Sequence, residues 1–221
     1  MTFLKRGSNS ISITPLHLLI AALGFLVSAP VHSDTLVDTV LARYGYDAFK
    51  KAEEIRFTFR GTLAGIGPSH TWIWKMQRDS VYSIEDGVSI GYSRKAMGDK
   101  EMKLDKSFVN DMYWLTFPLH LAMDKGIQVV VDSQASVSPV KKEPLRRIKV
   151  TYMQAQGYTP NDSYELFAAP DGLIKEWKYY KGGGKLGASF TWEKYAEIGG
   201  ILFSQEHKGL AHITFSGIEV K

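Results

Sequence analysis

Polar and apolar residues alternate with a period of two along most of this chain, and one dense apolar block interrupts the alternation. Ile55 to Ala64 sets Phe57, Phe59 and Leu63 against Arg56, Thr58, Arg60 and Thr62, the pattern of a half-buried strand. Ser69 to Met76 puts Trp72, Trp74 and Met76 on one face, and Val81 to Glu85 puts Tyr82 with Ile84. Between these segments, Gly65 to Ser69 and Gln77 to Ser80 are turns by composition. Further strands are predicted over Ile127 to Asp132, Arg146 to Tyr152, Tyr164 to Ala169, Leu173 to Lys181, Ala188 to Ala196, Ile201 to His207 and His212 to Val220. Ser133 to Pro144 reads as a Ser, Pro and Lys loop, and Gly157 to Ser163 and Pro170 to Gly172 read as turns. Roughly nine to eleven strands joined by short turns, without strand and helix in alternation, imply an antiparallel sheet. The expected fold class is mainly β with helices (α+β): a single, strongly curved antiparallel sheet with helices on one side.

Two segments depart from the period of two. Asp34 to Glu54 repeats Leu36, Val37, Val40, Leu41, Tyr44, Ala48 and Phe49 at helical spacing, with Gly45 placed to bend or split the helix. Asn110 to Gly126 gathers Met112, Tyr113, Trp114, Leu115, Phe117, Leu119, Leu121 and Met123. That block is too apolar for a surface connection and is expected to fill the concave face of the sheet as a plug. Pro118 predicts a break, with a helix over about Lys106 to Leu115 followed by a short turn ending near Gly126. An apolar plug beside a sheet means a closed core or a lined cavity, and the sequence leaves both open.

The first 33 residues are expected to leave the mature protein. Lys5 and Arg6 precede an apolar run, Leu18 to Ala29, of signal-peptide length, and Val31 and Ser33 suit cleavage before Asp34. No cysteine is present for lipid attachment, so an exported, periplasmic protein without a stable membrane anchor is expected. The domains are then 1–33, the cleaved signal, and 34–221, one domain. Loss of Lys5 and Arg6 from 27 basic residues leaves 25 against 23 acidic ones, a net charge that predicts no nucleic-acid partner. The absence of cysteine excludes disulfides and thiol chemistry, leaving core burial and sheet pairing as the source of stability.

All five tryptophans fall in a predicted strand or in the plug: Trp72, Trp74, Trp114, Trp177 and Trp192. Alternation puts Trp177 with Tyr179 and Phe190 with Trp192. A bulky core accounts for any one of them; together they also suit an apolar cavity for a lipid-like ligand.

The plug NDMYWLTFPLHLAMDKGIQV, the stretch GYTPNDSYELFAAPDGLIKEWKYYKGG and the ending FTWEKYAEIGGILFSQEH resemble an uncharacterised family of bacterial exported proteins. Its members carry a Tyr-Trp-Leu and Pro plug, a Thr-Pro-x-Asp-x-Tyr turn and a Gly-Gly-Ile-x-Leu-Ser ending; the likeness runs from about Asp47 onward. More distantly the chain is similar to the periplasmic lipoprotein-sorting carriers of the LolA and LolB type. That resemblance implies an unclosed half-barrel of antiparallel strands with a helical lid over a cavity for acyl chains. The chain departs from it in lacking the lipidated cysteine of the membrane-anchored receptor and an identifiable Arg to hold the lid closed.

Enzymatic signatures are missing: there is no nucleophile elbow, no His-Glu-x-x-His and no phosphate loop, and Gly182 to Gly184 reads as a hairpin turn. His207 and His212 flank a turn where they are read as solvated histidines, not metal ligands. Asp105, Asp111 and Asp124 around the plug are read as solvated or helix-capping, and Lys141, Lys142, Arg146 and Arg147 as a solvated strand edge. The function expected is therefore non-enzymatic, without cofactor or metal: a monomeric carrier or sensor for a lipid, acyl chain or other apolar ligand. The expected lining is Trp72, Trp74, Tyr82, Trp114, Phe117, Leu119, Trp177, Tyr179, Phe190 and Trp192, with Pro118 and Gly126 as lid hinges. The alternatives are a binding module for another envelope protein, with a filled core, and an enzyme acting on a small apolar substrate.

Overall fold

Short turns between alternating segments make neighbours in sequence into neighbours in space. The computed structural model of the chain describes residues 35–153 and 161–221. The expected signal segment lies outside the described residues, as does most of the turn expected at Gly157 to Ser163. Two short helices, α1 (Thr35–Arg43) and α2 (Tyr46–Lys51), come first. Gly45 splits them as its sequence position suggests: its φ is 71°, and an added Cβ would fall 1.9 Å from the Gly200 carbonyl oxygen, so only glycine turns the chain there.

Four strands follow, β1 (Glu54–Thr62), β2 (Ser69–Lys75), β3 (Ser80–Glu85) and β4 (Val88–Ser93), then helix α3 (Asp99–Met123). The remainder is β5 (Ile127–Val137), β6 (Pro144–Tyr152), β7 (Ser163–Ala168), β8 (Ile174–Tyr180), β9 (Gly187–Thr191), β10 (Glu193–Ile198), β11 (Ile201–Lys208) and β12 (His212–Val220). The chain is mainly β with helices, antiparallel and unclosed. The single expected sheet is divided in two: seven strands in the order β10-β11-β12-β1-β2-β3-β4, and five in the order β5-β6-β7-β8-β9. One bridge, Phe190 to Gly209, links the two ladders. A Cβ at Gly209 would sit 2.2 Å from the Ser189 carbonyl oxygen, so glycine permits this approach.

Two strands were not anticipated. Strand β4 buries only Tyr92, so it carries no alternation to read, and β9 and β10 are separated at Trp192 within one continuous apolar pattern. Strand β5 also runs on to Val137, which shortens the expected loop.

Helix α3 is the plug. It buries Phe108, Met112, Leu115, Phe117 and Leu119, each removing about 2 kcal/mol of apolar surface from water. Trp72 and Trp74 meet Phe108 edge-on at 5.6 and 5.8 Å. The break expected at Pro118 is absent: the helix continues through it to Met123. Proline removes the N–H that would serve the carbonyl four residues earlier, that of Trp114. Fully buried His207 lies beside this turn, its Nδ1 3.2 Å from the Thr191 carbonyl oxygen. The ring packs against Trp114 and Trp192. Apolar burial on both sides of Pro118, of Leu115, Phe117 and Leu119, holds the helix through the proline.

Burial lowers the pKa of His207 to about 3, against the opposing pull of the Thr191 and Trp114 carbonyls. An unfolded histidine takes up its proton near pH 6.5, so between these values the unfolded chain holds one proton more than the folded one. Stability therefore falls on acidification through that window, by up to about 1.4 kcal/mol per pH unit. Denaturant titrations from pH 6.5 to 4 are expected to show a shallower decline for His207→Gln than for the wild type. Parallel declines would assign the acid sensitivity to the carboxylates.

Candidate ligand cavity

A helix crossing between two sheets needs fixed points, and α3 obtains them from carboxylates. Asp105 is fully buried and accepts bonds from the Tyr92 hydroxyl at 3.1 Å and from Arg94 Nε at 2.8 Å, tying α3 to β4 and the turn after it. Asp111 Oδ2 accepts from the Trp72 indole at 2.9 Å and meets His70 Nδ1 at 2.8 Å, tying α3 to β2. The hydrogen bond to Asp111 raises the His70 pKa, outweighing the burial that would lower it. Asp124, just past the helix, accepts from the Tyr113 hydroxyl at 2.7 Å and from the Tyr152 hydroxyl on β6, and its other oxygen meets His120 Nδ1 at 2.8 Å. Burial pushes the Asp124 carboxyl up, but its bonds from His120, Tyr152 and Tyr113 prevail and hold it below the usual range. Asp105 and Asp111, expected to be solvated or capping, are therefore buried anchors, and Asp124, at the C-cap of α3, is a half-buried one.

Held in this way, α3 does not fill the space against the five-stranded sheet. A cavity of about 380 Å³ lies between them. Val109, Tyr113 and Trp114 form its helical wall, and Tyr164, Trp177 and Tyr179 its sheet wall. The placement follows from period: Val109 and Tyr113 are one turn apart, Trp177 and Tyr179 share a strand face, and Tyr164 pairs directly with Tyr179. Lys106, Asn110, Lys181 and Gly182 are exposed and line the opening, while Asp162 beside them is buried. Asp162 is fully engaged: one oxygen accepts the Gly182 N–H at 2.6 Å and the other the Tyr179 hydroxyl at 3.1 Å. Burial and the neighbouring Asp162 carboxylate push Tyr179 up to about 12.

Of the ten residues expected to line a cavity, the structure brings Trp114, Trp177 and Tyr179 to this one. Trp72 and Trp74 are packed on Phe108, Phe117 lies 4.4 Å from Tyr164 within the core, and Leu119 is buried. Phe190 and Trp192 are core residues against Trp114 and Trp177. Tyr82 is a correction: Val81 and Ser83 are the buried residues of β3, so Tyr82 lies on the other face, opposite Gly91. Pro118 sits inside α3, and Gly126 immediately precedes β5. Sequence reading missed Tyr113 and Tyr164, although Tyr113 is one turn before Phe117 and Tyr164 is two residues before Leu166 on a strand it recognised.

No family model matches the chain, and no curated protein matches it. Among solved structures it is similar to a DUF1329 family protein from Desulfovibrio piger, at 10% identity and a TM-score of 0.45, covering 85% of this chain and 92% of that one. It is similar to a LolA superfamily protein from Nitrosomonas europaea at 8% identity and a TM-score of 0.44, covering 80% and 94%. It is also similar to the Mycobacterium tuberculosis lipoprotein LppX at 15% identity and a TM-score of 0.30, covering 85% and 96%.

The remaining candidates resolve structurally. His212 Nε2 pairs with Glu206 at 2.8 Å while His207 is buried against Thr191, so the two do not converge. Lys141 pairs with Glu193 at 3.0 Å, and Arg147 joins Asp132 and Glu165, both at 2.9 Å. The loop above them is clamped from inside by fully buried Glu176, which accepts from the backbone N–H groups of Val140 and Lys141.

The Asp124 anchor sets the position of Tyr113 in the cavity wall, and its removal strands the hydroxyls of half-buried Tyr113 and buried Tyr152 and the ring of buried His120. Asp124→Ala is expected to cost about 3 kcal/mol in urea denaturation, and Tyr152→Phe only about 1 kcal/mol. Equal losses would mean that the Tyr152 hydroxyl alone, and not the bonds from Tyr113 and His120, makes Asp124 an anchor for this end of α3.

Proposed function

We propose that this chain is an exported, non-enzymatic binding protein for a lipid, acyl chain or other apolar ligand, working as a carrier or sensor in the periplasm. One observation carries the reading: the space that α3 leaves unfilled against β7 and β8, walled by five aromatic side chains and open to solvent on one side. Its volume falls in the range of small-molecule sites. The N-terminal Lys5, Arg6 and Leu18 to Ala29 pattern supports export. Affinity comes from apolar area removed from water, at about 25 cal/mol per Å², less the cost of immobilising the ligand. Entry is through the opening lined by Lys106, Asn110, Lys181 and Gly182, which movement of α3 about Gly126 would widen.

A second reading, a docking module for another envelope protein, draws on Leu63, Ile66 and Leu210. All three are exposed at the neighbouring tips of the β1–β2 and β11–β12 hairpins, where water-facing leucine and isoleucine are unfavourable.

Native mass spectrometry of the protein from Asp34 to Lys221, purified without detergent from an exported form, is expected to show a co-purifying lipid. An apolar fluorescent probe is expected to bind the emptied protein. Asn110→Trp, which occludes the opening from an exposed position and gives up the bond from Asn110 Nδ2 to Asp111 Oδ1 at 3.1 Å, should abolish probe binding at a stability cost of only about 1 kcal/mol. Trp114→Ala should weaken binding more than it lowers stability. A clean mass with no probe uptake would remove the ligand and leave the docking reading.

A further inference from the structure

The hydrogen-bonding groups around the cavity are unbalanced. Its one carboxylate, Asp162, has both oxygens occupied by Gly182 and Tyr179. Unpartnered groups in the wall are mainly donors. Among the described residues the hydroxyl of Tyr164, a buried residue, makes no hydrogen bond, and the buried indole N–H of Trp177 has no partner. Lys106 and Lys181 stand at the opening, and neither belongs to an ion pair among the described residues. Elsewhere lysines do find carboxylates, as Lys75 and Lys221 find Glu54 and Lys208 finds Glu193. Two ammonium groups against one carboxylate leave the mouth with a net charge of +1.

An apolar interior beneath a positive opening with spare donors suits one chemical shape. We infer that the ligand is a single-chain amphiphile with an anionic head: the tail lies among Val109, Trp114 and Trp177, and the head accepts from Lys106, Lys181 and the Tyr164 hydroxyl. This inference rests on the ligand-binding reading above. A neutral tail alone would leave the donors unmet. A cationic head would face both ammonium groups, with Asp162 already engaged. A carboxylate, phosphate or sulfate head meets the same donors, so the assignment is to charge and chain number.

The test compares three probes that share a twelve-carbon chain and differ in the head: dodecanoate, dodecanol and dodecyltrimethylammonium. Each is titrated below its micelle concentration, or for dodecanol below its solubility limit, into the delipidated mature protein at pH 8 and low ionic strength, with tryptophan fluorescence as the readout. Dodecanoate is expected to bind about tenfold tighter than dodecanol, the gain of two partly exposed charge contacts. High salt should erase that preference. The double substitution Lys106→Gln and Lys181→Gln changes exposed side chains only, and should bring dodecanoate to the affinity of dodecanol while leaving dodecanol unchanged. Tyr164→Phe should reduce the preference in part. Equal binding of dodecanoate and dodecanol by the wild type would overturn the anionic head while keeping the apolar cavity. Tightest binding of the trimethylammonium probe would overturn it in favour of a cation held by the aromatic walls. If none of the three binds, the ligand-binding reading itself falls.

Discussion

Buried and half-buried carboxylates on and beside α3 determine how the two sheets of this protein stand around their helix. Asp105 reaches Arg94 and Tyr92, Asp111 reaches His70 and Trp72, and Asp124 reaches Tyr152. An ion removed from water is tolerable only when its lone pairs are met by well-placed donors. Each of these three acids meets at least two donors from outside itself. The constraint acts in both directions: the acids fix the register of the helix, and the helix fixes which strands supply donors. Apolar packing would hold α3 between the sheets without choosing its rotation, since leucine and phenylalanine contacts are not directional. Directional bonds at three points along 25 residues choose it.

The cavity follows from that choice. With Asp111 turned toward β2 and Asp124 toward β6, the face carrying Val109, Tyr113 and Trp114 is presented to β7 and β8. That face meets another row of rings, Tyr164, Trp177 and Tyr179. Flat side chains stacked across a gap fill it less evenly than branched aliphatic ones, and the anchors prevent the helix from closing in. Beyond the gap the aromatics do close: Phe117 lies 4.4 Å from Tyr164, and Trp114 lies 4.5 Å from Trp177. Filled core and cavity are therefore two parts of one aromatic layer, and the alternatives posed by the sequence are both present at different depths.

What could be read from the sequence was whatever depends on local period. Strand positions such as Ser69 to Lys75 and His212 to Val220, the split at Gly45 and the hairpin at Gly182 follow from alternation and from backbone permissiveness, both local properties. The errors share a cause in distant partners. Pro118 reads as a helix break because its lost hydrogen bond is visible in sequence, while the burial of Phe117 and Leu119 beside it, Phe117 against the distant Tyr164, is not. Asp105 and Asp124 read as solvated because charge favours water, while Arg94 and Tyr152 become partners only once the chain has folded. Tyr82 was placed inside because β3 has buried residues of low signal, Val81 and Ser83, on its inner face and a tyrosine on the outer one.

Site residues were harder to read than fold for the same reason. Alternation tells which face of a strand is apolar, and every tryptophan predicted to be interior is buried or half-buried. It does not tell which part of an apolar layer is left open, because a void is defined by the residues that do not meet. Trp72 and Trp177 carry identical sequence signals, an aromatic at an inward position of a strand. One is closed over by Phe108 and the other borders open space. The difference lies in the rotation of α3, which buried carboxylates set from residues that sequence reasoning assigned to the surface. In a helix-plugged sheet of this kind, the acidic residues of the plug are thus as informative about the binding site as its aromatic ones.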